Sequence, residues 1–148
     1  LARGPEQPSN APDVSTDANG QASKTKVVNN EGVTGSYVGS DGKTGDAVWG
    51  TRGPWTMLKG KVDGEEVTLA ILDHPGNPGY PTYWHARGYG LFAANNLGQN
   101  AFDPKQPEMK RTIAPGESMT FRHRVMIVSG PVEPARMNAE HKKFATEK

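Results

Sequence analysis

The 148-residue chain is long enough for one ordinary domain and short for two. Its 17 Lys+Arg against 16 Asp+Glu leave a formal net charge of +1, which excludes a general basic field for nucleic acid and an acidic tail. The 18 Gly and 12 Pro exclude a long helical bundle, and the absence of cysteine removes disulfides, thiolate metal sites and cysteine nucleophiles together.

Residues Leu1 to Lys24 contain no aromatic residue and are dominated by Pro, Ser, Asn, Asp, Ala and Gly. Such a stretch buries too little apolar area to offset its ordering entropy, so residues 1–25 read as a flexible linker or surface excursion. The chain starts at Leu1 with no apolar signal-peptide core, so it is expected to be a fragment whose upstream end is missing. Val27 and Val28 begin a first short strand. The Gly-rich passage from Glu31 to Gly50 lacks the Gly-Lys-Ser/Thr of a phosphate loop and reads as turns.

From Trp49 the texture changes: all three tryptophans and seven of the eleven aromatic residues lie between Trp49 and Phe92. The pattern predicts a strand over Trp55 to Lys59, a hairpin turn at Asp63-Gly64 and a partner strand over Val67 to Leu72. The three prolines between Asp73 and Pro81 stiffen an irregular loop, and Thr82 to Ala86 and Tyr89 to Ala94 read as two further strands. Alternation over Ser118 to Val128 puts Met119, Phe121, His123, Val125 and Ile127 on a buried face, with Thr120, Arg122, Arg124 and Met126 on a wet one. A turn at Ala114 to Glu117 feeds this strand. Glu133 to Lys148 reads as a terminal helix over residues 131–148. No run approaches the roughly 18–20 apolar residues of a membrane span. Residues 1–104 hold eight basic and eleven acidic residues, and residues 105–148 hold nine and five. That asymmetry fits a solvated strand face and helix better than a nucleic-acid footprint.

Most polar residues with chemical potential fall in the aromatic block: Arg52 and Trp55, then Asp73 and His74, then Tyr83, His85 and Arg87. Aromatic rings beside Arg, His and Asp suit a ligand with apolar faces and hydrogen-bonding edges, as a sugar has. Two arginines are available for the carboxylate of an acidic sugar. A histidine within reach of a hydroxyl or ring oxygen serves as acid or base near neutral pH, which makes His74 and His85 the catalytic candidates. Each residue also has a plainer role open to it. Asp73 caps a turn, Arg52 and Arg87 are surface residues or pair with Asp73, and Trp55 and Tyr83 join the core. His85 faces solvent if Trp84 faces inward. His123 reads as a core histidine and His141 as solvated. A His74–His85–Asp73 metal set is the less favoured alternative, because the eleven-residue spacing matches no short ligand motif.

The run Asp73-His74-Pro75-Gly76-Asn77-Pro78, followed by Pro81-Thr82-Tyr83-Trp84-His85-Ala86-Arg87-Gly88-Tyr89-Gly90-Leu91-Phe92-Ala93-Ala94-Asn95, resembles a bacterial family of unknown function labelled "methane oxygenase PmoA". Val28 to Gly32, Trp49 to Trp55 and Pro115 to Ser118 agree with it, and the resemblance covers about Lys26 to Ser129. Membrane methane oxygenase subunits cross the bilayer several times, so the label carries no membrane implication for this chain. The resemblance implies a secreted or periplasmic protein from bacteria rich in polysaccharide-degrading genes. It also implies a longer domain, of which this chain is the C-terminal half. The last strand after a Pro-Gly-Glu turn is similar to the end of galactose-mutarotase-like β-sandwiches. His123 departs from the pattern, which favours an aromatic residue there, and Tyr37 to Asp46 are looser than the family.

The reading is therefore an all-β antiparallel sandwich over residues 26–130 with a short C-terminal helix. It is expected to bind or process a carbohydrate, without cofactor, nucleic acid or membrane. A non-catalytic assembly module, alone or with the missing N-terminal half, and a metal-dependent enzyme are the alternatives. Association into a homo-oligomer follows from Gly-rich sheet edges.

Overall fold

A computed structural model describes residues 13–16, 22–25, 35–88 and 90–147. Strands β1 (Asp13–Thr16) and β2 (Ala22–Thr25) pair antiparallel, so the stretch expected to be a linker or excursion contains a short ladder. The strand expected at Val27-Val28 lies outside the described residues.

The body is a four-stranded antiparallel sheet built from β3 (Ser36–Gly39), β4 (Trp55–Val62), β5 (Glu65–Asp73) and β8 (His123–Ser129) in the order β3-β4-β5-β8. The β4–β5 hairpin turns at Asp63-Gly64, both with positive φ (52° and 85°), as a two-residue turn matched to strand twist requires. A second ladder, β6 (Tyr83–Ala86) with β7 (Phe92–Asn95), forms the other layer. A one-turn helix α1 (Gln99–Phe102) follows β7, and α2 (Pro134–Phe144) ends the fold with Pro134 in its first turn, where no N–H is missed. The chain is thus an all-β sandwich-like protein with a short C-terminal helix. Among the described residues no helix is long and apolar enough to cross a membrane.

Alternation along the central strands feeds two cores. Trp55, Met57, Ala70 and Leu72 face α2 and meet Met137, Phe144 and Val132, while Tyr37 and Leu58 face the second layer and meet Val48, Trp84 and Ala86. Trp84 is fully buried and donates its indole N–H to the Gly53 carbonyl at 3.1 Å, tying the layers together.

The last strand corrects the sequence reading. It begins at His123, and its inward residues are Met126 and Val128, packed on the α2 core, whereas Val125 and Ile127 are 61% and 76% exposed. Alternation was legible, but not which face is covered. β8 is the edge of its sheet and α2 covers one side, while the apolar core under the β6–β7 layer takes in Ile71 of β5 and, among the described residues, no residue of β8. The strand expected at Tyr89 to Ala94 runs from Phe92 to Asn95, and α1 has no counterpart in the sequence reading.

Candidate functional site

The predicted residues divide into two groups and a remainder. Trp55 is the remainder: it lies under α2, 1% exposed, with its indole N–H donated to Asn138 Oδ1 at 2.8 Å.

The first group surrounds Asp73, the last residue of β5. Its carboxylate is fully buried and accepts hydrogen bonds from Thr82 N–H (2.8 Å), Asn77 Nδ2 (2.7 Å) and Asn96 Nδ2 (3.0 Å). Burying a carboxylate is costly unless its lone pairs are filled, and the Pro-rich loop folds back to fill them. Asn77 also bridges to the residue just before β8, donating to the Arg122 carbonyl (2.6 Å) and accepting from its N–H (2.7 Å). Gly79 permits the closure. It has φ +74°, and a Cβ there would stand 1.9 Å from the Asn96 carbonyl oxygen. His123 pairs with Asp73 across the β5–β8 ladder and sets Nε2 3.2 Å from Asp73 Oδ1 and 3.0 Å from Asn96 Oδ1. His123 is therefore no core histidine: its side chain is 26% exposed at the sheet edge.

His74 is buried and edge-on to Phe144. Its Nδ1 accepts from Gly76 N–H at 3.0 Å, which leaves Nε2–H to donate to the Glu147 carbonyl at 3.1 Å. His141, expected in solvent, instead donates Nε2–H to the Asp73 carbonyl at 3.0 Å and stacks on Tyr80. Burial, and then the nearby Asp73 charge, raise the Tyr80 phenol above its ordinary value.

The second group lies on the outer face of the β6–β7 ladder. Trp84 and Ala86 point into the core, so Tyr83 and His85 share the opposite face. α1 delivers Phe102 over them, stacked on Tyr83 at 5.3 Å and 4°, and edge-to-face with His85 at 5.5 Å. Trp49 meets Phe102 at 5.6 Å, and the Arg87 guanidinium sits 4.2 Å above the Trp49 ring. At the other end Arg52, bridged to Tyr83, lies 5.0 Å over its ring. Its Nε and Nη2 donate to the carbonyls of Pro81 (2.9 Å) and Gly79 (3.2 Å). Among the described residues neither arginine has a carboxylate within ion-pair distance.

The structure thus joins Arg52, Tyr83, His85 and Arg87, and joins Asp73 and His74 elsewhere. Sequence reasoning missed Trp49 and Phe102, which complete the outer face, and Asn77, Asn96 and His123, which complete the Asp73 network. Asn77 stood inside the Asp-His-Pro-Gly-Asn-Pro run. Phe102 carried no local signal, since its role depends on where α1 lands. No three His, Cys, Asp or Glu side chains converge on a metal-sized site among the described residues.

An all-β sandwich-like domain with an aromatic and guanidinium outer face and a buried Asp–Asn–His network is the class that fold and site define. Over residues 3–142 the chain matches the family described as "Family of unknown function (DUF6807)", and it belongs to that family. No curated protein and no solved structure matches it.

Proposed function

We propose that the outer face of the β6–β7 ladder binds carbohydrate, in particular an acidic sugar, in an extracytoplasmic setting. The observation that carries the reading is the exposed Trp49 beside the half-buried Phe102, which is stacked on a buried Tyr83, with a guanidinium at each end, neither neutralised by a carboxylate among the described residues. Aromatic faces cover the C–H side of a pyranose, and a guanidinium takes a carboxylate in two parallel hydrogen bonds. The resemblance to a family expected beside polysaccharide-degrading genes points the same way. His85 is the candidate acid/base that stands at this surface. His74 has both ring nitrogens engaged by its own loop and the C-terminal segment.

The test is ligand-observed NMR with glucuronate, galacturonate and their neutral parents. Saturation transfer to the uronates is expected, lost in Trp49→Ala and weakened in Arg87→Ala, with new product signals marking an enzyme that His85→Ala then silences. Silence toward every uronate overturns the reading.

A second reading, assembly with another copy through β8, is favoured by one observation: Val125 and Ile127 are exposed on an edge strand. Sedimentation of Ile127→Lys beside the unchanged protein decides it. A monomer in both cases removes this reading.

A further inference from the structure

The Asp73 network opens onto a groove that the outer face does not use. The groove, ≈ 240 Å³, is lined by Ala94, Asn95, Asn96, Leu97, Phe121 and His123. The imidazole of His123 forms part of its wall, with Phe121 nearly parallel to it at 6.5 Å.

Two facts set the chemistry of that imidazole. Nε2 faces two acceptors, Asp73 Oδ1 and Asn96 Oδ1, so the proton of the neutral ring sits on Nε2. Nδ1 then carries the lone pair, and it has no hydrogen-bond partner among the described residues. A fully buried carboxylate behind an imidazole holds the ring in one tautomer and in one orientation, with the outer nitrogen left as an acceptor. Asp73 does not need the histidine for its own satisfaction, since Thr82, Asn77 and Asn96 already donate to it. Among the described residues its one ion-pair partner is His123.

We propose that this groove is a second ligand site, at which His123 Nδ1 accepts a hydrogen bond from a hydroxyl on a neutral sugar ring and Asp73 is the positioning residue. The lining fixes the ligand class. It holds no charged side chain apart from His123, it offers the Asn95 amide nitrogen for a hydroxyl while the Asn95 oxygen accepts from Gly98 N–H, and Leu97 and Phe121 are apolar walls. The hydroxyl keeps its proton and donates it to the Nδ1 lone pair, while Nε2–H stays on the Asp73 carboxylate. This site stands apart from the uronate reading, because Arg52, Arg87 and His85 take no part in it.

The experiment follows the imidazole nitrogens by NMR in the full chain labelled with ¹⁵N-histidine, titrated with the methyl glycosides of glucose, galactose and mannose. In the free protein His123 is expected as the Nε2–H tautomer. At least one glycoside should move its Nδ1 resonance toward the protonated position while His85 stays still. His123→Gln, which keeps a donor for Asp73 but has no Nδ1, should weaken that glycoside about tenfold, the loss of one hydrogen bond. Glucuronate binding should stay unchanged in this variant. An Nδ1–H tautomer in the free protein, a still Nδ1 resonance with every glycoside, or full affinity in His123→Gln each overturns the proposal. The tautomer and titration use the unchanged chain, so they decide the matter even if the variant does not fold.

Discussion

Replacing Asp73 by Asn keeps the shape of the side chain and removes its charge from a site where every neighbour is a donor. With the amide oxygen at the Oδ1 position, Asn77, Asn96 and His123 retain an acceptor. The amide nitrogen then faces the Thr82 N–H, which loses its 2.8 Å acceptor in a buried place. Orphaning that N–H costs about 1–3 kcal/mol, and each of the three remaining bonds drops from charge-assisted to neutral at about 1 kcal/mol. Part of this returns because a charge is no longer buried, which leaves a net loss near ~3 kcal/mol. With a urea slope of about 2 kcal/mol per M, the midpoint should fall by about 1.5 M. The assay is urea unfolding at pH 7 read by tryptophan fluorescence, since Trp55 and Trp84 are buried. Asp41→Asn, at an exposed turn where its carboxylate pairs with Lys43, should stay within about 0.5 kcal/mol. A loss below about 1 kcal/mol for Asp73→Asn would show that the network returns no more than the desolvation it costs, and would refute the reasoning.

Three further outcomes follow from the same geometry. Because burial and Asp73 raise the Tyr80 phenol, the folded state holds its proton longer than the unfolded chain does, so stability is full below pH 10 and falls as pH rises above it; Tyr80→Phe should flatten that alkaline slope in urea titrations. Met137→Ala empties a fully buried position between α2 and the sheet and should cost about 2–5 kcal/mol by urea unfolding, whereas a half-exposed Met109→Ala should cost well under half of that. Gly64→Ala, at positive φ in open space, should cost about 1–2 kcal/mol, and Gly79→Ala distinctly more because its Cβ would collide with the Asn96 carbonyl; equal thermal midpoints for the two would deny the clash.

How much was legible in the sequence depended on whether the cause was local. The Asp63-Gly64 hairpin was readable because its turn chemistry and flanking alternation are contiguous, and the terminal helix because breakers stop at Pro134. The covered face of β8 was not, since alternation marks two faces and only the packing of α2 decides which is buried. The same holds for the sites. Strand period alone sets His85 opposite Trp84, and the structure keeps that alternation, with Trp84 and Ala86 in the core and His85 half-buried outside it. Phe102, brought by a single helical turn 17 residues beyond His85, could not be placed by period. His123 was assigned to the core because its neighbours Phe121 and Val125 are apolar. It is held instead by an aspartate fifty residues earlier, and contacts of that range leave no mark in local pattern.

Residues 103–122 run between α1 and β8 with no regular secondary structure and are largely exposed, while β8 and α2 after them are bound to the sheet before them. The attachment comprises the β5–β8 ladder, the burial of Met137 and Phe144 beneath Trp55, the His141 bond to the Asp73 carbonyl and the His74 bond to the Glu147 carbonyl. The peptide bonds of that stretch are thus a seam and not a strut. A protease nick near Pro107 to Ala114 should leave two pieces that travel together through gel filtration and part only in denaturant, so the domain can be handled as a complementing pair of fragments.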